Sequence, residues 1–292
     1  MFWNEADKNG FKVLKKCFSF LTTCPGTLIF VFLIIFINAS LFGTALYLEY
    51  VYHGTSVFDS SSFHNFFNLN ITKHLTRIGF ILGLIFISAL SNIICLTSLT
   101  YNSIQYLNKK PYGFLKSLKV TLLKLHIVIP AAIILVLHRI DIFFSSINPQ
   151  SISQALGEHI QGKKPVPLAT MYTLESSLFF PLIVETNLSI IEILEMSKTM
   201  MIKQFGDSLY LNISYTKLKF VLFIIIASTF GFFVHYHFNL LPAIVVSYAL
   251  ILSTYTLIET VIFLFRACLF NFIKNRPTGP FTKLEIPLYF KN

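Results

Sequence analysis

Charge is what this chain has least of. Only 12% of its 292 residues are Asp, Glu, Lys or Arg, against roughly 25% in an average soluble domain. Between Lys219 and Glu259 there is none. A soluble core could not hide that much apolar surface, so lipid has to solvate much of it. Tryptophan is nearly absent too, with Trp3 alone. The four cysteines, Cys17, Cys24, Cys95 and Cys268, show no Cys-x-x-Cys spacing, which argues against a disulfide framework and a metal cluster. No P-loop, G-x-G-x-x-G, G-x-S-x-G, H-E-x-x-H or D-x-D-x-D-G pattern occurs, so the familiar nucleotide, hydrolase and calcium signatures are missing. No cofactor is expected.

What remains is a hydrophobic, basic chain with a mean hydropathy of +0.69 and a formal charge of +10. A nucleic-acid partner would need Lys and Arg clustered on a polar domain, and no segment is polar enough to build one. The uncharged stretch after Lys219 is too long for one membrane helix of about 20 residues. His235-Tyr236-His237-Phe238-Asn239 and Pro242 break it near its middle. It therefore reads as a hairpin of two spans, about 220–234 and 243–265. Uncharged runs elsewhere place further spans at about 27–48, 78–100, 120–137 and 167–184. The first run, Cys17–Leu48, lacks a small-residue cleavage site and reads as a retained span rather than a signal peptide.

The fold class expected is all-α, a polytopic bundle of six transmembrane helices. Cytoplasmic loops collect Lys and Arg. With six spans, 18 of the 23 basic residues fall on the side holding the N-terminus, the 2–3 and 4–5 loops and the tail, 266–292. Lys73, Arg77, Arg139, Lys163 and Lys164 fall on the other. Both termini are thereby placed in the cytoplasm, and the protein in the cytoplasmic membrane.

Three times a basic amphipathic segment precedes a pair of spans, which suggests a threefold internal repeat. The first segment sets Phe11, Leu14, Phe18 and Leu21 apart from Lys12, Lys15 and Lys16. The second sets Phe114, Leu118 and Leu122 apart from Lys116 and Lys119. The third, Ser189–Lys203, opens on a capping box, Ser189 with Glu192, with Leu188 and Ile193 placed as a hydrophobic staple. Its apolar positions include Ile190, Leu194 and Met201.

Two stretches carry a resemblance. One is LATMYTLESSLFFPLIVE from Leu168 to Glu185, followed by IIEILEMS from Ile190 to Ser197. The other is FLFRACLF from Phe263 to Phe270, with Gly279-Pro280-Phe281 and Tyr289-Phe290-Lys291 after it. They resemble an uncharacterised family of prokaryotic six-span membrane proteins. More loosely, they are similar to the membrane domain attached to some glycerophosphodiester phosphodiesterases. The resemblance implies the architecture and carries no catalytic residues.

Glu175 is the most suggestive polar residue, because a carboxylate at mid-bilayer costs about 2.5–3.5 kcal/mol and normally faces a cavity or a partner. The bland alternative is a shorter fourth span with Glu175 at its outer edge. Glu259 shares a helix face with Arg266, about 10 Å along the axis, too far for a direct pair. Asn92 with Ser88 and Ser91, and Asn38 with Ser40, read as hydrogen-bonding glue between helices. His235 and His237, with His159 from another outer loop, are weak metal candidates.

Three functions follow from these residues. The first is a non-enzymatic membrane protein whose basic helices touch anionic lipid through Lys12, Lys15, Lys16, Lys116 and Lys119, organising the membrane or assembling a partner complex or homo-oligomer. The second is a small-molecule or lipid transporter with a polar pathway near Glu175 and Glu259. The third is a membrane enzyme acting on lipid headgroups.

Overall fold

The computed structural model describes residues 5–53, 71–133, 177–206, 210–211, 216–235 and 240–291. Among them the regular structure is helical apart from one antiparallel pairing of two residues with two. The helices are α1 (Glu5–Thr23), α2 (Pro25–His53), α3 (Ile71–Leu107), α4 (Phe114–Leu122), α5 (Phe179–Glu185), α6 (Ile190–Phe205), α7 (Thr216–His235) and α8 (Leu240–Ile273). A helical stretch over 125–133 follows α4 after a turn. Among the described residues, three stretches are long and apolar enough to cross a bilayer: Gly26–Ala45, Leu82–Leu107 and Val246–Ile273. They assign the chain to the membrane.

Several helices overrun the expected spans. The 37 residues of α3 rise about 55 Å, well beyond a hydrocarbon core of about 30 Å. Helix α8 continues through Ile273, past the expected span end at Phe265. The third expected span begins differently: residues 120–122 belong to α4, and a turn at Leu123–Lys124 separates them from the helix over 125–133. Charge-free runs show what lipid tolerates, whereas helix ends are set by hydrogen bonding, and the two need not coincide.

The packing centre is a bundle of α2, α3 and α8, with α7 lying along α8. At one end of the bundle α1, α4, α5 and α6 gather with the tail. Phe30, Leu99, Ile104, Phe179, Ile193, Met201 and Phe270 are fully buried there. Helix α1 buries Val13, Cys17, Phe20 and Leu21 and leaves Phe11 and Phe18 exposed, so its protein-facing side is rotated from the expected Phe11–Phe18 face. All four cysteines are free and buried. Burial pushes the Cys17 thiol well above its ordinary pKa, which makes it inert.

The tail folds back beneath the bundle. It turns at Gly279, where φ is +66°, and runs through a 3-10 turn over Ile286–Tyr289. Tyr210 and Leu211 then pair with Lys291 and Phe290. Phe281 and Tyr289 pack edge-on against Phe265, so the tail is anchored to the last turns of α8. A Cβ added at Gly279 would lie 2.4 Å from Leu107 Cδ2, and the left-handed backbone is itself strained for alanine. Gly279→Ala should lower unfolding stability by about 1–2 kcal/mol, measured by reversible denaturation in mixed micelles.

Candidate functional site

Two polar constellations stand out, one within the membrane-spanning bundle and one at the end where the short helices gather. Within the bundle, α2 and α3 meet through side-chain amides. Asn38 Nδ2 donates to Asn92 Oδ1 at 2.7 Å and to the Ile34 carbonyl at 2.7 Å. Ser88 Oγ donates to Asn38 Oδ1 at 2.5 Å. Polar side chains in a bilayer pair with each other because lipid offers them nothing.

Beside this network lies a cleft of about 50 Å³, walled by α2, α3, α5 and α8. Its walls are mainly apolar, Ile34, Ile93, Leu96, Phe180, Leu252 and Phe263, and its polar groups come from Asn38, Asn92, Tyr255, Thr256 and Glu259. The fold thus brings Glu259 into one cleft with Asn92 and Asn38, residues more than 150 positions away in the chain. Arg266 is not among the residues lining the cleft, but its guanidinium lies 5.4 Å from the centre of the ring of Phe263, which is. Glu175, His159 and His237 lie outside the described residues. His235 is the last residue of α7. Among the described residues no group of three or more His, Cys, Asp or Glu is placed to hold a metal.

At the gathered end, the buried Asn102 is the centre. Its Oδ1 accepts from the Gly113 N–H at 3.0 Å and from Ser117 Oγ at 3.2 Å, and its Nδ2 lies 3.8 Å from Cys24 Sγ. One turn away, Ser98 Oγ donates to Thr121 Oγ1 at 2.8 Å. Helix α4 therefore turns Ser117 and Thr121 inward. Leu115 (76% exposed), Leu122 and Leu123 (70% exposed) face outward, beside exposed Lys116 and Lys119. Burial is the reverse of that in a soluble helix.

The motif residues prove to be fastenings. Ser189 and Glu192 form the expected capping box. Ser197 Oγ accepts from the Leu178 N–H at 3.2 Å, closing the start of α5. Glu185, the last residue of the LATMYTLESSLFFPLIVE stretch, pairs with Arg276 of the tail, and Lys124 Nζ donates to the Thr186 carbonyl.

Lys12 and Lys15 are exposed on α1, but Lys16 is engaged: its Nζ lies 2.7 and 2.5 Å from the two oxygens of Glu285. Glu285 Oε2 also accepts from the Thr282 N–H at 3.0 Å. The Lys16 ammonium and the Thr282 N–H together hold the Glu285 carboxyl below its usual range. Burial, with Glu285 and Cys17 nearby, pushes the Tyr289 phenol up to about 12. Asn102, Thr256 and Glu285 carry no sequence signal beyond being polar residues; only the fold gives each a partner or a cleft to face.

No family model matches the chain, and no curated protein or solved structure matches it.

A double-mutant cycle on Asn38→Ala and Asn92→Ala should give a coupling of about 0.6 kcal/mol, and not above about 1.7, as for other interhelical hydrogen bonds in bilayers; a coupling near zero would mean the amides act separately. The clamp between Lys16 and Glu285 has a pH signature. A depressed folded-state pKa stabilises fully above the unfolded value, about 4.3 for Glu, and fades as pH falls through the folded value. Hydrogen exchange in α1 and the tail should therefore accelerate below pH about 4 in the parent chain. Glu285→Gln should exchange faster at neutral pH, by about 1 kcal/mol of protection, and lose this carboxyl's share of the acid response.

Proposed function

We propose that this chain is a six-span protein of the cytoplasmic membrane, with both termini in the cytoplasm and a non-enzymatic role. Its short basic helices lie at headgroup level and hold anionic lipid, organising the surrounding membrane or the assembly of a partner complex or homo-oligomer. Three units of an amphipathic helix followed by two spans make up the chain on this reading. The order α1–α2–α3 and the order α6–α7–α8 agree with two of them. The likeness to the uncharacterised six-span family rests on the two stretches quoted above and adds no activity.

The observation that carries this reading is the reversed face of α4. A short helix that buries Ser117 and Thr121 and displays Leu115, Leu122 and Leu123 is unstable in water and stable where lipid covers the leucines. Lys116 and Lys119 flank those leucines at helical spacing, placed to reach phosphate while the leucines sit among acyl chains. Helix α1 has the same elements, with exposed Phe11 and Phe18 next to Lys8, Lys12 and Lys15.

The full chain reconstituted in nanodiscs tests this. Each lysine near an anionic surface is worth about 1 kcal/mol, so Lys116→Glu with Lys119→Glu should weaken retention of phosphatidylglycerol over phosphatidylcholine by at least about tenfold. Retention would be read by native mass spectrometry of the lipid-bound protein. Equal retention by the parent and the doubly reversed chain would remove the lipid-holding role.

A further inference from the structure

The cleft beside the amide network is not needed for holding lipid at α1 and α4, yet it has the composition of a site. Glu259 lies on α8, within the apolar stretch Val246–Ile273. Among the described residues it makes no hydrogen bond or ion pair. Three residues earlier on the same helix, Thr256 is 2% exposed, and its hydroxyl has no hydrogen-bond partner. Both line the cleft, with the Asn38 and Asn92 amides across from them. An unpaired carboxylate and an unsatisfied hydroxyl in one lipid-depth cleft are two separate costs that a single bound species would relieve.

The chemistry restricts that species. The cleft of about 50 Å³ holds a few water-sized particles and is far below the ~300 Å³ that an organic ligand requires. Its polar groups, a carboxylate, hydroxyls and amide oxygens, are hard oxygen donors suited to a proton or a hard cation. They repel anions. None of the lining residues is basic. From α2, α3 and α5 the cleft receives only neutral side chains, and on α8 itself the one other titratable group is Tyr255. Among the described residues, the cleft lining holds no positive charge to balance Glu259.

We infer that this cleft binds an alkali-metal cation, with the Glu259 carboxylate as its counter-charge and the Thr256 hydroxyl as a further oxygen donor. The site stands apart from the lipid-holding role, and neither depends on the other.

The full chain in neutral phosphatidylcholine nanodiscs allows the test without anionic lipid. NaCl is added with choline chloride at equal ionic strength as the control, while thermal melts follow the stability of the folded chain and infrared spectroscopy follows the carboxylate stretch at fixed pH. A saturable rise in melting temperature and a shifted carboxylate stretch with NaCl but not with choline chloride, both abolished in Glu259→Gln, identify a bound alkali ion. Equal responses to the two salts in the parent chain overturn the inference. Thr256→Val should raise the half-saturating Na⁺ concentration about fivefold or more. Thermal melts establish that each variant is folded. If Glu259→Gln does not fold, Glu259→Asp and Thr256→Val carry the test through the same shifts. A Na⁺ response that is unchanged in every folded variant also overturns the inference.

Discussion

The packing of the gathered end depends on one buried amide. Asn102 Oδ1 accepts from Gly113 and Ser117, fixing the turn that leads into α4, while its Nδ2 lies against Cys24, at the junction of α1 and α2. A Cβ on Gly26 would stand 3.0 Å from that same nitrogen, so the start of α2 approaches α3 as closely as a glycine allows. Three segments far apart in the chain are held by one side chain. In a bilayer this is a strong way to fix an arrangement, because apolar contacts between helices compete with lipid tails that are equally apolar. Polar groups have no such competitor.

The orientation of α4 follows from the same constraint. Helix α3 presents Ser98 and Asn102 toward it, and both are fully buried. An apolar face laid on those groups would leave them unsatisfied, at about 1–3 kcal/mol each. Turning Ser117 and Thr121 inward satisfies them and moves the leucines to the outside, where lipid accepts them at no loss. The tail acts similarly on α1. Glu285 receives Lys16 and the Thr282 N–H, and Lys16 lies 5.5 Å from the centre of the Phe281 ring. Charge and ring together fasten the amphipathic helix to the end of α8.

Much of this was legible from the residues, and the misses have one cause. Long uncharged runs identified the helices now seen as α2, α3, α7 and α8, because lipid solvation is a property of composition. The capping box of α6 was legible because Ser189 and Glu192 are three residues apart and need no distant partner. The facing of α1 and α4 was not. Apolar periodicity says that a helix has an apolar face, and in a membrane protein that face is as content against lipid as against protein. Phe11 and Phe18 lie outward and Val13 and Cys17 inward for reasons held in the tail and α8. Glu259 and Asn92 were each recognisable as polar residues in apolar runs, but their meeting in one cleft is a fact of helix packing.

Two threonines one turn apart on α8 show where that packing leaves something open. The Thr260 hydroxyl donates to the Thr256 carbonyl at 2.8 Å, the usual way for a threonine in a membrane helix to satisfy itself within its own backbone. The Leu252 carbonyl is four residues before Thr256 and offers the same arrangement. Thr256 does not take it up, and its hydroxyl stays unpaired in the cleft with Glu259. Other polar groups of the bundle pair, Asn38 with Asn92, Ser98 with Thr121 and Asn102 with Ser117, while the Thr97 and Ser247 hydroxyls and Asn271 Oδ1 are buried without a partner, as Thr256 is. Of these four open groups, Thr256 is the one that lines the cleft with the Glu259 carboxylate, where a small cation can meet both.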